Sequence, residues 1–237
     1  MNSRAMSVAV IGAALMLASG AQAAPDISGV WEAAAKVREL KTVDGQAPPL
    51  NNEARKLYGE RMAKWKVHDL SYDPTAKCVS PGMPRILYLP YPFEIIQRPK
   101  RITYIFQWNY WNRHVDMSGQ KQEAPYPLSL GESSGHWDGD TLVIHTNGLR
   151  ADNTMLDSAG LPHSEALSLT EHIRLTNGGR RLEDRIRIED PQTFTRPWET
   201  VLTFNRLPDS HEIPLDICLD RIDAGKPAVD WSRKLGE

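Results

Sequence analysis

Three side chains able to move protons fall close together in the second half of the chain, in "GLPHSE", "EALSLTEHIRL" and "RLEDRIRIE". In the second string Leu167, Leu169, Glu171, Ile173 and Leu175 alternate with other residues, so a strand puts them on one face with Glu171 as its one charge. The third string repeats the pattern with Leu182, Asp184, Ile186 and Ile188. If Asn177 and Gly178 are the central turn residues, Glu171 lies directly across from Asp184; a turn centred on Gly178 and Gly179 puts Ile186 there instead. Two carboxyl groups side by side on an inward face raise one pKa through repulsion and desolvation, which suits a general acid or base near neutral pH. The alternative is an ion pair in which an arginine from a neighbouring strand neutralises one of them, Asp184 in particular. Gly160 and Pro162 fix the turn that carries His163 to the start of the Glu171 strand, where an imidazole can orient a substrate or shuttle a proton. A turn histidine facing solvent or capping a loop carbonyl is the competing reading.

Other groupings are weaker. No Gly-x-Ser-x-Gly string surrounds Ser164, which leaves a serine hydrolase without support. His136 and His145 flank the Asp138-Gly139 turn, but a two-residue turn pairing 137 with 140 leaves them apart. No local metal site follows, although strands could still bring His114, His145, His163 and Glu171 together. No organic cofactor motif is present.

These residues must be placed by a scaffold, and the scaffold reads as all-β. "FEIIQ" and "RITYIFQWNYWNRHVD" flank a turn at Arg98-Pro99-Lys100, and the second string reads as one long strand over 101–116. "PLSLGESSGHW" meets "DTLVIHTNGL" across Asp-Gly, the Glu171 and Asp184 strings meet across Asn-Gly-Gly, and "WETVLTFNRL" is a final strand. Consecutive hairpins build an antiparallel meander, which closes most economically into a barrel, with a β-sandwich as the alternative. One helix is expected at about 51–66, where Ala54, Leu57, Tyr58, Met62 and Trp65 recur at helical spacing behind an asparagine cap. The proline-dense stretch at about 72–92 reads as a long ordered loop.

Parity on the long strand puts Ile102, Tyr104, Phe106, Trp108, Tyr110, Asn112, His114 and Asp116 on one face. That face is either aromatic core or the lining of a pocket for a flat hydrophobic ligand, with Tyr104, Trp108, Tyr110, His114 and His145 as substrate-binding candidates.

The ends and the composition set the compartment. Residues 1–23 combine Arg4, an apolar small-residue stretch and Ala21-Gln22-Ala23, the pattern of a secretory signal peptide. The mature chain, 24–237, reads as a single domain, periplasmic or secreted, with no later segment able to span a membrane. A net charge of −2 with both signs interspersed supports neither a nucleic-acid nor a lipid-headgroup partner. The two cysteines, Cys78 and Cys218, are expected to form one long-range disulfide after export.

Two resemblances add to this reading. "SGVWE" resembles the Gly-x-Trp of lipocalin-like (calycin) barrels, in which the tryptophan plugs one barrel end under an arginine of the last strand, here Arg206. "SGHWD" repeats it, and both copies read as a glycine before a tryptophan at a strand boundary. The strings "WDGDTLVI", "GLPHSEALSLTEHIRL" and "IEDPQTFTRPW" resemble a group of exported bacterial hypothetical proteins sharing W-E-G-D-T-L-V-V, G-x-P-H-S, T-E-R-F and D-P-x-x-Y-x-x-P-W strings. His145 and His172 depart from that pattern, and the resemblance implies no activity. The expectation from the residues is a cofactor-independent lyase or isomerase acting by elimination, isomerisation or hydration on a hydrophobic or aromatic small molecule, with Glu171, His163 and Asp184 as acid/base groups. Glu171→Gln should then abolish turnover and spare the fold. The alternative is a non-catalytic lipocalin-like binding protein using the same pocket.

Overall fold

The alternating strings form nine strands in the computed structural model, which describes residues 24–120 and 122–236. The expected leader lies outside them. The strands are β1 (Gly29–Ala33), β2 (Phe93–Arg98), β3 (Arg101–Phe106), β4 (Asn112–Asp116), β5 (Glu132–Asp138), β6 (Thr141–Asn147), β7 (Ser168–Thr176), β8 (Arg181–Glu189) and β9 (Trp198–Arg206). Each pairs with the next and β9 returns to β1, so the sheet is a closed barrel and not a sandwich. All neighbours are antiparallel except β4 and β5, which run parallel and share only two pairs, Val115 with Ser133 and Asp116 with Ser134. That short seam is the weakest junction of the wall, because parallel strands with two pairs leave most of their edges unzipped.

The seam has its own packing device. A Cβ on Gly135 would stand 3.0 Å from both Val115 Cγ1 and Met117 Sδ, so glycine lets β5 lie close to its parallel neighbour without displacing those side chains. The two Ser-Gly-x-Trp strings therefore serve different ends. Gly29 opens β1 with φ 136 in the glycine-only region, and a Cβ there would run into the Arg206 guanidinium. Arg206 sits 4.3 Å from the Trp31 ring centroid, and the Trp31 indole, fully buried, donates to the Ile27 carbonyl at 3.0 Å. Gly135 lies in mid-strand, and Trp137 is only partly buried, so the second copy is not a strand-boundary plug.

The single strand expected over 101–116 is a hairpin. Gln107 to Trp111 reverse the chain, with Asn109 and Tyr110 at φ 60 and 52 and the Phe106 amide donating to Trp111 O at 2.9 Å. Ile105 then faces Asn112 and Tyr104 faces Arg113. Since cross-strand partners share a face, parity inverts after the turn: Arg113 and Val115 point inward, while Asn112 and His114 are exposed. The β5–β6 turn comprises Gly139 and Asp140, pairing Asp138 with Thr141 and His136 with Val143. The β7–β8 turn spans 177–180, and Glu171 pairs with Ile186, Asp184 with Ile173. Direct opposition of Glu171 and Asp184 is thereby replaced by a diagonal relation on the same inward face.

One end of the barrel carries the β2–β3, β5–β6 and β7–β8 turns; the other carries the β3–β4 turn and the long connections β1–β2 and β6–β7. There, 80–92 and 154–163 are buried throughout, and Met83, Ile86, Leu87 and Tyr88 join the main core. The proline-rich stretch is thus a plug, with two 3-10 turns, Pro74–Lys77 and Arg85–Tyr88. The helix α1 (Asn52–Lys66), capped by Asn51, braces the plug from outside through Tyr58 Oη to Asp157 Oδ2 at 2.8 Å and Arg61 Nη1 to Gly160 O at 3.0 Å. Its buried residue is Ala54, and Leu57 is exposed, so polar ties rather than an apolar stripe seat it. The Cys78–Cys218 disulfide links the plug to a short helix α2 (Cys218–Asp223) in the C-terminal segment. No helix among the described residues is long and apolar enough to cross a membrane.

Candidate functional site

Inside the barrel, one polar cluster interrupts a core of Trp31, Phe93, Phe106, Ile144 and Phe204. The inverted parity of β4 delivers Arg113 into it. Arg113 Nε donates to Ser133 Oγ at 3.0 Å, Nη1 to Glu171 Oε1 at 2.9 Å, and Nη2 to Thr146 Oγ1 at 2.8 Å and to Glu171 Oε2. Ser133 and Thr146 share a further hydrogen bond of 2.9 Å. Both oxygens of Glu171 are thus engaged by one guanidinium, with each side chain at 1% exposure or less. Removing either partner of such a pair strands a buried charge at a cost of several kcal/mol. Desolvation works against the Arg113 cation, but the Glu171 carboxylate outweighs it and raises its pKa further.

Asp184 is the acid left without a cation. Burial, then the Glu171 charge beside it, push its pKa well above the ordinary carboxylate range against the pull of Arg113. Protonation is thereby favoured, as for a carboxyl group without its own counter-ion in an apolar interior. Its Oδ1 has no hydrogen-bond partner among the described residues, and neither has the Tyr104 hydroxyl. The Tyr104 ring lies 5.4 Å from the Arg113 guanidinium carbon, and burial holds its phenol protonated. The arginine expected to neutralise one of the two acids exists, but it takes Glu171 and leaves Asp184.

Sequence reasoning missed Arg113, having read β3 and β4 as one strand. Two signals pointed to the reversal: Asn109, a residue type that tolerates left-handed backbone, and a run of sixteen residues, about twice the usual strand length.

Arg113 also borders a cleft on the outside of the wall. With Trp111, His114, Leu130 and Arg150 it lines this cleft of about 620 Å³ over the splayed β4–β5 seam, and Trp111 Nε1 is a buried donor with no partner there. Of the other expected ligand contacts, only His114 borders this cleft. Trp108 packs instead by the disulfide and donates to Ala228 O at 2.8 Å; Tyr110 is largely exposed and donates to Ile213 O at 3.1 Å; His145 meets Thr170 Oγ1 at 3.5 Å on the outer barrel wall. Tyr104, Trp108, Tyr110, His114 and His145 therefore do not form a common lining. Among the described residues, no group of three or more His, Cys, Asp and Glu side chains converges as a metal site.

His163 stands in the buried plug and not at an open mouth. Its Nδ1 is 2.9 Å from Ser164 O and its Nε2 2.8 Å from Thr154 Oγ1, and burial lowers its pKa. A carbonyl only accepts, so Nδ1 carries the proton of the neutral ring. The neighbouring Ser164 is locked to Asp190, which accepts from the Ser164 amide at 2.6 Å and from its hydroxyl at 2.7 Å. A comparison with protein-family models and with curated protein sequences finds no match. In this chain the Gly-Leu-Pro-His-Ser loop and the Asp-Pro loop are two halves of one clasp at the plugged end, joined through Ser164 and Asp190.

Proposed function

We propose that the protein is an exported β-barrel that takes up a small, largely apolar molecule through the cleft over the β4–β5 seam and engages its polar end at the Arg113, Asp184 and Tyr104 cluster. The observation that carries this reading is the pair of fully buried, partnerless groups, Tyr104 Oη and Asp184 Oδ1, beside an arginine that also lines the cleft. A core that served packing alone gains nothing from them, because an unpaired buried polar group costs about 1–3 kcal/mol. A hydroxyl or carbonyl on a ligand supplies the missing partner, which fits sites that are mostly apolar with a few placed polar groups. The Gly29, Trp31 and Arg206 arrangement supports a lipocalin-like architecture, and the disulfide supports export.

A second reading keeps the same site and adds chemistry. A buried carboxylic acid that retains its proton beside a carboxylate is a proton donor in waiting, the environment-driven pKa separation that marks acid/base pairs. Asp184 is then the acid, Glu171 and Arg113 fix the charge around it, and His163 lies outside the reacting group. Native mass spectrometry of the protein purified from an exporting host tests both readings. A small molecule held by the native protein and depleted in Tyr104→Phe supports the binding site; conversion of that molecule by the native protein and not by Asp184→Asn supports the enzyme; retention undiminished in Tyr104→Phe contradicts both.

A further inference from the structure

A second cleft, of about 820 Å³, lies outside the barrel wall where α1 ends, walled by the 68–76 loop on one side and residues 222–232 of the disulfide-anchored C-terminal segment on the other. Its floor comes from the plug: Arg85 and Ser158 line it, each at least 96% buried. Arg85 is clamped to Asp73 through Nη1 at 2.9 Å and Nη2 at 2.6 Å, yet its Nε–H has no partner among the described residues. The same is true of Ser158 Oγ, whose backbone amide is tied to Arg38 O at 3.0 Å. Two buried polar groups in one cleft thus lack partners, and both can donate.

The rim supplies charge and flat apolar surface. The Arg38 guanidinium carbon sits 4.9 Å from the Trp231 ring centroid, and Lys36 Nζ steadies that residue through its carbonyl at 2.7 Å. Trp65, Leu70 and Ile222 add apolar walls, and Leu70 and Ile222 are exposed. Three cations, Arg38, Arg85 and Lys226, face two acids, Asp73 and Asp230. Asp73 is consumed by Arg85, and Asp230 accepts from the amide and hydroxyl of Ser232. One positive charge is left over.

We propose that this cleft binds an aromatic carboxylate, its ring against Trp231 and Trp65 and its carboxylate toward Arg38, Ser158 Oγ and Arg85 Nε–H. A monoanion matches the charge that remains, and a planar body matches the two indoles, since aromatic faces and arginine both favour flat partners. The site is separate from the seam cleft and does not depend on what that cleft holds.

Titration calorimetry on the disulfide-intact mature protein with 1-naphthoate, and with its neutral counterpart 1-naphthamide, provides the test. Saturable binding of naphthoate is expected, with the amide at least about tenfold weaker, as a charge-assisted contact implies. Arg38 is exposed, so Arg38→Gln leaves the fold intact and should weaken naphthoate about tenfold while leaving the amide unchanged. Ser158→Ala, which deletes only the unpaired hydroxyl, should weaken naphthoate several-fold. Equal affinity for acid and amide, absence of saturable naphthoate binding at millimolar concentration, indifference to both substitutions, or loss of binding in the seam variant His114→Ala each overturns the assignment.

Discussion

Two buried arginine–carboxylate pairs, Arg113–Glu171 in the barrel and Arg85–Asp73 in the plug, look alike in isolation and differ in what is left over. Arg113 spends Nε, Nη1 and Nη2 on Ser133, Glu171 and Thr146, and the surplus is on the acid side, where Asp184 has no cation. Arg85 and Asp73 are only twelve residues apart, and the surplus is on the donor side, at Arg85 Nε and the neighbouring Ser158. The first region is therefore suited to hold a proton and the second to receive an anion. The lesson is that the pairing itself stabilises local geometry, while the unpaired remainder indicates what chemistry a region can receive.

Breaking the walls gives the largest effect. Cys78→Ser with Cys218→Ser releases a loop with a sequence separation of 140 and should cost about 5 kcal/mol in urea unfolding on a chain-entropy argument. Naphthoate binding should fall with it, because the C-terminal wall of the plug-side cleft loses its anchor. Next is Arg113→Met, which strands Glu171 and should cost about 3–5 kcal/mol, with Arg113→Met/Glu171→Met recovering most of the loss. By the same argument Glu171→Gln leaves Arg113 unmatched and destabilises the barrel, so loss of activity in that variant does not by itself assign a catalytic role to Glu171.

Smaller effects separate the acid surplus from the pair. The folded pKa of Asp184 is raised, so above the ordinary carboxylate pKa the unfolded chain holds fewer protons than the native one and stability falls as pH rises. Asp184→Asn should flatten that slope, with more stability gained at pH 8 than at pH 4 in parallel urea titrations. His163 acts oppositely: its folded pKa is lowered, the unfolded state takes up protons first, and stability drops as pH falls below about 6.5, a loss His163→Gln should remove. Smallest of all, Tyr104→Phe loses no hydrogen bond and removes an unpaired buried hydroxyl, so it should raise stability by about 1 kcal/mol in urea unfolding.

How much was legible in the chain follows from the range of each signal. Alternation put Glu171 and Asp184 inward, while the Gly29, Trp31 and Arg206 association was expected from the resemblance of "SGVWE" to the Gly-x-Trp of lipocalin-like barrels and is present as the Arg206–Trp31 contact. An even cysteine count and the expected export leader pointed to the disulfide. The β3–β4 reversal was hidden because Gln107 to Trp111 include three aromatic residues, Trp108, Tyr110 and Trp111, that continue a strand pattern, with Asn109 the only breaker. That one turn inverted the parity of Arg113 and with it the identity of the site. The burial of 80–92 was also invisible, since proline marks irregular backbone and says nothing about which side of a barrel it covers.

The central claim is that the barrel interior holds a neutral carboxylic acid beside the Arg113–Glu171 pair. Infrared difference spectroscopy at pH 7 between the native protein and Asp184→Asn addresses it directly. The account predicts a protonated-carboxyl C=O band in the native protein that disappears in the variant; no such band, or one that survives the substitution undiminished, contradicts it.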